Sequence, residues 1–380
     1  MKILVLGSGL VGGPMAVDLA AEPSFAVTVA DINDEALDKI SKRGKITTFR
    51  CDVKDQHALS DLIAGHDMVL SAVPGFLGFE TLRSIIDAGK NVVDIAFFPE
   101  DPYLLDDLAK RKGVTAIVDC GVCPGMSGIL VGHAQKMLDE TDDVLICVGG
   151  LPLVREWPYE YKAVFSPVDV IEEYTRPAHY IENGKPVVRP ALTDPEYMTF
   201  PGIGTLEAFN TDGLRTLLRN VRAATMKEKT LRYPGHIEYM TVLRETGFFS
   251  KEPIEVNGIL MRPLDLTAAL LFPKWKMGED EGDITVMRVT VKGKKGGRHS
   301  GFQYDLVDRY NPATRTMSMA RTTGYTATSA VRMMNAGLYS RKGIIAPEIV
   351  GEQPECVRFL LDELAGRGVI YKETRLPEAG

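Results

Sequence analysis

The first thirty residues constrain the fold more than any other part of the chain. An unbroken apolar run, Ile3 to Leu6, is followed by the pattern G-x-G-x-x-G, formed by Gly7-Ser8-Gly9-Leu10-Val11-Gly12. A helical segment from Gly13 to Ala21 comes next, then a second apolar run from Ala26 to Ala30, which ends at Asp31. This order predicts one strand–helix–strand unit of a parallel sheet whose strands are buried on both faces.

Each glycine of the motif has a predicted physical role. Gly7 permits a tight turn, Gly9 lets a pyrophosphate approach the backbone, and Gly12 lets the helix pack close to the strand. The N-terminus of the helix offers free N–H groups and a partial positive charge to phosphate groups. The motif therefore predicts dinucleotide binding, with the whole loop from Gly7 to Gly12 against the cofactor.

The residue that ends the second strand indicates which dinucleotide is bound. Asp31 follows the glycine motif by roughly twenty residues, where a carboxylate accepts hydrogen bonds from the adenosine ribose. A carboxylate there repels a 2′-phosphate, and Ile32 and Asn33 supply no cation. NAD is therefore the predicted cofactor and NADP is less favoured, although Lys42 and Arg43 keep the second alternative open.

Further apolar strands continue this pattern up to residue 120. They are predicted at Lys45 to Arg50, Met68 to Ala72, Val92 to Ile95 and Thr115 to Asp119. Six strands alternating with helices predict a doubly wound parallel sheet, whose ligands bind beyond the carboxyl ends of the strands. The residues predicted to line the cofactor at those ends are Cys51, Asp52, Val53, Ala72, Val73, Pro74, Asp94 and Gly121.

The character of the sequence changes after residue 120. Glycine and proline become frequent between segments with strand patterning, which are Val144–Val148, Tyr161–Phe165, Val168–Tyr174, Ile284–Val291 and Gly301–Val307. We therefore predict three regions: a dinucleotide-binding domain at 1–120, an α+β substrate-binding and dimerisation domain at 121–322, and a C-terminal segment at 323–380 that partly returns to the first domain.

Composition argues against several classes of function and location. The formal net charge is −7 without a long basic block, so no nucleic-acid partner is expected. No apolar run approaches the ~18 residues of a membrane span, and the first strand begins at once, which predicts a cytoplasmic protein without a signal peptide. Cys120 and Cys123 form one C-x-x-C pair without a second pair or a histidine cluster, so no metal site is predicted.

Several separated motifs resemble the saccharopine dehydrogenase family, and within it the lysine 6-dehydrogenases. Besides the glycine motif they are Asp119–Ser127 (DCGVCPGMS), Phe200–Gly213 (FPGIGTLEAFNTDG), Lys229–His236 (KTLRYPGH), Thr323-Gly324-Tyr325 and Gly343–Glu348. The resemblance implies a Rossmann-type domain, a substrate domain and a homodimer. It also implies NAD-linked oxidation of the lysine ε-amine to an aldehyde that cyclises to a piperideine carboxylate, with release of ammonia.

Within these motifs, polar residues are candidates for catalysis and substrate binding. Arg232 is the candidate anchor for the α-carboxylate, because a guanidinium matches a carboxylate in two hydrogen bonds. His236 is the candidate base, because the ordinary histidine pKa of about 6.5 suits proton transfer, and Tyr233 could orient the substrate. The remaining candidates are Glu207 and Asp212 for the substrate ammonium, and Asn210 and Thr211 for polar contacts. Purely structural roles remain open for all of them.

Two other functions remain open at this point. A reductase that condenses an amine with a keto acid, as in saccharopine or carboxynorspermidine formation, would need a second carboxylate anchor such as Arg155 or Arg244. A non-catalytic NAD-binding sensor would bind the cofactor with Arg232 and His236 pointing away from any cavity.

Overall fold

The computed structural model describes residues 1–278 and 281–377. The chain divides into two compact units. The first comprises Met1–Met137 and Met319–Tyr371, and the second comprises Leu138–Ser318 and Lys372–Gly380. In the described ranges, no helix combines the length and the apolar character needed to cross a bilayer.

The described residues form eighteen strands and thirteen α-helices. The strands are β1 (Lys2–Leu6), β2 (Ala26–Asp31), β3 (Ile46–Arg50), β4 (Met68–Ser71), β5 (Asn91–Asp94), β6 (Thr115–Ile117), β7 (Glu140–Pro152), β8 (Ala178–Glu182), β9 (Lys185–Arg189), β10 (Glu196–Phe200), β11 (Gly204–Asn210), β12 (Thr225–Arg232), β13 (Ile254–Val256), β14 (Ile259–Met261), β15 (Asp283–Lys295), β16 (Arg298–Arg309), β17 (Gly343–Ile345) and β18 (Tyr371–Leu376). The helices are α1 (Gly12–Ala20), α2 (Asp34–Ser41), α3 (Gln56–Ala64), α4 (Gly75–Asp87), α5 (Asp106–Lys112), α6 (Met126–Met137), α7 (Pro167–Thr175), α8 (Leu217–Asn220), α9 (His236–Thr246), α10 (Pro263–Trp275), α11 (Ser318–Asn335), α12 (Pro347–Gly351) and α13 (Pro354–Gly366).

The first unit is built on a parallel sheet, which confirms the predicted doubly wound fold. Its strand order is β17-β6-β5-β4-β1-β2-β3, so the winding direction reverses between β1 and β4. Ile3, Leu4, Val5 and Leu6 have no exposed surface, as expected for a central strand covered on both faces. The seventh strand, β17, was not predicted because a three-residue apolar run gives no recognisable periodicity.

The first unit extends to Met137, beyond residue 120, where the sequence pattern changes. Helix α6 packs closely on α12, and glycines allow the approach: a Cβ at Gly132 would lie 2.1 Å from the carbonyl oxygen of Glu348. Gly351 makes the reciprocal approach, since a Cβ there would lie 2.1 Å from the carbonyl oxygen of Ile129. This backbone contact joins α6 to the first unit.

The second unit contains a mixed sheet packed against helices, which confirms the predicted α+β architecture. Its strand order is β10-β11-β12-β7-β15-β16-β18, and β8 and β9 extend it from β12. Strand β12 runs parallel to β7 and antiparallel to β11 and β8. Helices α7, α9 and α10 bury a shared core around Trp275, which includes Tyr174, Phe209 and Met240.

Two of the predicted strands in this unit were wrong. Residues 168–174 belong to helix α7, which has Pro167 in its first turn and buries Val170, Ile171 and Tyr174 on one face. The β-branched residues suggested a strand, but the buried positions follow helical spacing. Residues 161–165 are irregular apart from one bridge, from Ala163 to Lys276.

Candidate functional site

In the first unit, the glycine motif forms a tight loop between β1 and α1. Gly7 has a φ of +96°, and a Cβ there would lie 2.6 Å from the carbonyl oxygen of Ala72, so the loop closes against the end of β4. A Cβ on Gly12 would lie 2.2 Å from the carbonyl oxygen of Gly7. A Cβ on Gly9, by contrast, would meet nothing within 4 Å. This open space and the uncapped N-terminus of α1 fit the pyrophosphate of a dinucleotide.

The carboxylate of Asp31 is held next to this loop. One of its oxygens accepts hydrogen bonds from the Ser8 N–H at 2.7 Å and the Ser8 hydroxyl at 3.2 Å, and the other accepts the Asn33 N–H at 2.8 Å. Asn33 in turn caps α2 through the N–H groups of Glu35 and Ala36. The predicted ribose-binding carboxylate is therefore fixed before any ligand arrives.

Two cations near this carboxylate, Lys42 and Arg50, are already paired. The ammonium of Lys42 lies 2.6 Å from Asp38, and Arg50 lies 3.3 Å from Asp34. A 2′-phosphate would have to compete with these carboxylates for either cation. The choice of NAD over NADP stays a prediction.

The other predicted cofactor residues lie at the carboxyl ends of neighbouring parallel strands. The Cys51 N–H donates to the Asp31 carbonyl at 3.0 Å, so the loop that continues through Asp52 and Val53 begins beside β2. The Ala72 N–H donates to the Leu6 carbonyl at 2.8 Å, and Val73 and Pro74 lead into α4. Asp94 is fully buried at the end of β5, in register with Ser71. Contacts of these residues with the cofactor stay a prediction.

The loop from Gly121 to Gly125 is held by its own backbone. Gly121 N–H donates to the Pro124 carbonyl at 3.0 Å, and a Cβ on Gly125 would lie 2.0 Å from the carbonyl oxygen of Gly121. Cys120 is buried, and burial together with Asp94 raises the pKa of its thiol. Since thiolates are the forms that bind metals and exchange disulfides, the environment of Cys120 disfavours both kinds of chemistry.

In the second unit, one face of β12 carries a row of buried polar side chains. Glu228, Thr230 and Arg232 alternate along the strand and therefore share a face. Glu207 on β11 is in register with Arg232 and lies on the same face. Asn210 is in register with Lys229 and lies on the opposite face, where its amide donates to Asp194 at 3.0 Å. Asn210 is therefore separated from the other predicted substrate residues.

Arg232 is more buried than a simple substrate anchor would be. Its side chain is 2% exposed, and its guanidinium donates to the Tyr174 hydroxyl at 3.2 Å, to the Leu231 carbonyl at 3.0 Å and to the carboxylate of Glu173. It also lies 4.6 Å from the ring centre of Tyr161. Burial opposes its charge, but the oxygens of Tyr174, Tyr161 and Glu173 raise the pKa of Arg232 above its ordinary value. The guanidinium is thus a fixed internal cation paired with Glu173.

The predicted role of His236 as the base conflicts with its surroundings. Its Nδ1 lies 2.9 Å from the Tyr159 carbonyl oxygen, which requires Nδ1 to donate, and its Nε2 accepts from the Tyr174 hydroxyl at 2.9 Å. Both ring nitrogens are therefore occupied. Burial and the charge of Arg232 lower the pKa of His236 to about 3. His236 therefore supports Tyr174, and this arrangement gives no support to its predicted role as the base.

Tyr233 also has a structural environment. Its hydroxyl donates to the Pro152 carbonyl at 2.9 Å, and the guanidinium of Arg155 lies 4.7 Å from its ring centre. The ring packs in the core on the side of Leu231, away from the Arg232 face. A role for Tyr233 in orienting the substrate is not supported.

Of the predicted ammonium ligands, Glu207 and Asp212 each already have protein partners. Glu207 accepts the Gly235 N–H at 3.0 Å, and Asp212 lies 3.0 Å from Nδ1 of His179. The Thr211 hydroxyl donates to Glu228 at 2.6 Å. Asp212 is 20% exposed in its side chain, so it can still meet a ligand.

Three members of this polar cluster were not predicted from the sequence: Glu173, Tyr174 and Glu228. Glu173 and Tyr174 lie on α7, which was predicted to be a strand. The alternation of Glu228, Thr230 and Arg232 was the available signal, because three polar residues at every second position mark one face of a strand.

Both halves of the chain match known protein families. Residues 3–117 match the Saccharopine dehydrogenase NADP binding domain, and residues 121–369 match the Saccharopine dehydrogenase C-terminal domain. The structure of apo saccharopine dehydrogenase (L-Glu forming) from Saccharomyces cerevisiae has a TM-score of 0.81 and 22% identity, and the match covers 99% of this chain and 100% of that one. At this identity the structural match establishes the fold.

Two curated relatives differ in length. The mitochondrial α-aminoadipic semialdehyde synthase of Rattus norvegicus is 28% identical over 271 residues, which are 66% of this chain but only 29% of the rat protein. This chain therefore corresponds to less than a third of that protein. Carboxynorspermidine synthase of Vibrio cholerae is 24% identical over 392 residues, and the match covers 93% of each chain.

These matches identify the family but do not identify the substrate or decide between NAD and NADP. The NADP in the name of the N-terminal domain family contrasts with the prediction of NAD from Asp31. The resemblance to lysine 6-dehydrogenases stays a prediction. The two domain matches together span nearly the whole chain, and the protein belongs to the saccharopine dehydrogenase family.

Proposed function

We propose that this protein is an NAD-dependent dehydrogenase that oxidises the ε-amine of L-lysine. The carbon that bears the amine loses a hydride, water adds to that carbon, and ammonia leaves, giving the 6-semialdehyde that cyclises to a piperideine carboxylate. The bound nicotinamide supplies the hydride-accepting chemistry. The loop Gly7–Gly12 would hold the pyrophosphate, and Asp31 the adenosine ribose.

The charge on the buried face of β12 is the observation that carries this proposal. Four carboxyl groups, those of Glu173, Glu207, Asp212 and Glu228, share this region with the guanidinium of Arg232. Lysine has two amines and one carboxylate, so above pH 8, where Glu228 is also ionised, the excess of carboxylates around Arg232 complements it. Saccharopine carries more carboxylates than lysine and would be repelled by the same excess.

Some of these residues would contact the substrate, and the others hold the contacting residues in place. We propose that Glu173 and Asp212 bind the ammonium group of the substrate. Their side chains are 26% and 20% exposed. Arg232 holds Glu173 and supplies the positive charge that attracts the α-carboxylate. Tyr174 and His236 fix Arg232 through the hydrogen-bond chain described above.

We further propose NAD over NADP for this chain, although its N-terminal domain family is described as NADP-binding. The support is the carboxylate of Asp31 at the ribose position and the pairing of Lys42 and Arg50 with acidic neighbours. Near neutral pH a 2′-phosphate would face the carboxylate of Asp31. Neither Lys42 nor Arg50 would be free to neutralise it, because both are paired with acidic neighbours.

The test is the initial rate of NADH formation at pH 9 to 10, where more of the substrate amine is neutral. The panel contains lysine, ornithine, saccharopine and diaminopimelate, each with NAD and with NADP. We expect turnover with lysine and NAD. No turnover of lysine, while NAD binding is intact, would contradict the assignment and leave a non-catalytic NAD-binding sensor as the alternative.

The coverage of carboxynorspermidine synthase over 93% of both chains favours one second candidate, a reductase that joins an amine to a carbonyl compound. The two arginines that could serve this reductase as a second carboxylate anchor already have protein partners. Arg155 pairs with Glu160, and Arg244 donates to the Ala191 carbonyl and to Glu245. Oxidation of NADH in the presence of an amine and a keto acid, without lysine oxidation, would establish this second function.

We also propose that the protein is a homodimer and that the hairpin β13–β14 takes part in the interface. The two strands pair only with each other among the described residues, and none of their residues is buried. A two-stranded hairpin is marginally stable in water without a packing partner. Ile259 and Leu260 are 62% and 73% exposed, and Leu270 on the adjoining helix α10 is 63% exposed.

A further inference from the structure

The carboxyl group of Glu228 lies beside the turn that carries Thr211 and Asp212. Resting on the proposed function, we propose that Glu228 is a positioning residue for the amine substrate. Its carboxyl group holds the turn 211–213 against β12, so that Asp212 is presented to the substrate ammonium.

The first support is a set of hydrogen bonds from the turn to Glu228. The Thr211 hydroxyl donates to Oε2 of Glu228 at 2.6 Å, and the Thr211 N–H donates to the Glu228 carbonyl at 3.4 Å. The hydroxyl oxygens of Thr211 and Thr230 are 2.9 Å apart. Glu228 is 5% exposed, so solvent does not compete for these bonds. The turn is therefore attached to β12 through both backbone and side chain.

The second support is the glycine at position 213. Gly213 is not among the residues with a positive φ, so its backbone conformation does not require glycine. A Cβ at this position would lie 2.4 Å from Oε2 and 2.5 Å from Cδ of Glu228. Thus the absence of a side chain at position 213 is explained by the close approach of the Glu228 carboxyl group.

The surroundings of Glu228 bring the pKa of its carboxyl group into the pH range of the proposed assay. Burial, followed by Glu173 on α7 and Asp212 in the turn, raises the pKa of Glu228 to about 8, while the Thr211 hydrogen bond and Arg232 act in the opposite direction. Asp212 in turn faces His179 on β8. Above pH 8 Glu228 therefore adds a negative charge beside Asp212, which strengthens the attraction for an ammonium group.

The experiment compares three variants of the 380-residue chain with a matched control. Glu228→Ala removes the carboxyl group, Glu228→Gln keeps its size and one acceptor oxygen, and Gly213→Ala displaces it. The control is Glu182→Gln, which removes a half-buried carboxylate at the end of β8 that contacts Lys227 of β12 at 3.1 Å. Two quantities are measured: hydrogen exchange of the peptide that covers residues 210–216, and kcat and KM for lysine between pH 7 and 10.

We expect faster exchange in Glu228→Ala and Gly213→Ala, and a KM for lysine raised about tenfold, the equivalent of one lost hydrogen bond to a charged group. kcat and NADH affinity should stay close to those of the wild type. Glu228→Gln should keep slow exchange but lose the fall in KM near pH 8. The control should match the wild type in both measurements.

Unchanged exchange in Glu228→Ala and Gly213→Ala would overturn the proposal, as would faster exchange with an unchanged KM. If the wild type oxidises no amine, the proposed function and the substrate role of the turn both fail. The exchange measurement still decides in that case whether Glu228 holds the turn, so the two failures are distinguishable.

Discussion

At the scale of single residues, the type of side chain and its surroundings point to different roles in the second unit. His236 has the ordinary chemistry of a base, but its two occupied ring nitrogens and its burial make it a support for Tyr174. Asp31 shows the opposite case, since its position at the end of β2 followed directly from the motif. Local motifs fix backbone placement, whereas burial depends on residues distant in sequence.

The first prediction concerns the choice of cofactor by Asp31. Asp31→Asn keeps one acceptor oxygen but removes the charge that repels a 2′-phosphate. We expect the ratio of kcat/KM for NADP to that for NAD to rise about tenfold, because a hydrogen bond to a charged group contributes about 1.5–3 kcal/mol. Asp61→Asn, at an exposed acidic position on α3, is the control. An unchanged ratio would contradict the assignment of Asp31 to the ribose.

The second prediction concerns acid stability and His236. The folded state keeps His236 neutral down to a pKa of about 3, whereas the ordinary value is 6.5, so between these values the unfolded chain binds the extra proton. The free energy of unfolding should therefore fall as the pH is lowered, by about 2 kcal/mol from this group between pH 7 and pH 5. Denaturant unfolding at the two pH values measures this loss.

His236→Gln should show a smaller loss over the same pH interval, because glutamine does not titrate. His57→Gln, which replaces an exposed histidine, controls for the general effect of removing an imidazole. An equal pH dependence in His236→Gln and the wild type would show that His236 is not held neutral in the folded protein.

The third prediction concerns Tyr174, which links Arg232 to His236. Tyr174→Phe keeps the ring but leaves Nε of Arg232 and Nε2 of His236 without their hydroxyl partner. We expect a loss of about 1–3 kcal/mol in unfolding free energy, since buried polar groups without partners are costly. We also expect a higher KM for lysine. Tyr197→Phe, at an exposed tyrosine on β10, should change neither quantity.

At the scale of elements, predictability followed the kind of hydrophobic pattern. Most parallel strands of the first unit are continuous apolar runs and were found from sequence, as were segments of β15 and β16. Helix α7 was assigned to a strand because Val168, Val170 and Ile171 are β-branched. Its correct assignment depends on burial against Trp275, a contact across about a hundred residues.

The fourth prediction tests the packing of α6 on α12. Gly132→Ala places a Cβ 2.1 Å from a backbone carbonyl oxygen, which cannot move without shifting α12. We expect a loss of about 1–3 kcal/mol, the usual effect of overpacking, seen as a lower denaturant midpoint. Gly366→Ala is the matched control because it is also helical, and a Cβ there meets nothing within 4 Å. Equal midpoints for the two variants would contradict the close contact.

At the scale of the whole molecule, sequence patterns predicted the fold class of both units but not the polar cluster of the second. Strand β12 brings Glu228 and Arg232 onto one face, and α7 adds Glu173 and Tyr174 from fifty or more residues away. No local motif contains these four residues together. The cofactor loop could be predicted because one short segment supplies its turn, its helix and its phosphate-binding groups.

The fifth prediction concerns assembly, which the hairpin β13–β14 makes testable. Asn257 and Gly258 both have positive φ and form its turn, so the hairpin has a defined geometry while its apolar side chains remain exposed. In a two-fold dimer the same surface meets its own copy, so a single charge there appears twice in the interface. Leu260→Asp would place two carboxylates close together in an apolar contact.

Light scattering after gel filtration measures the expected result. The wild type should have twice the chain mass of 41.7 kDa, and Leu260→Asp should shift toward the mass of one chain. Val188→Asp, at another exposed apolar position, on β9, should leave the dimer intact. A wild-type mass of one chain would contradict the homodimer itself. A dimer that survives Leu260→Asp would place the interface away from the hairpin, and the exposed apolar residues of β13 and β14 would then need another partner.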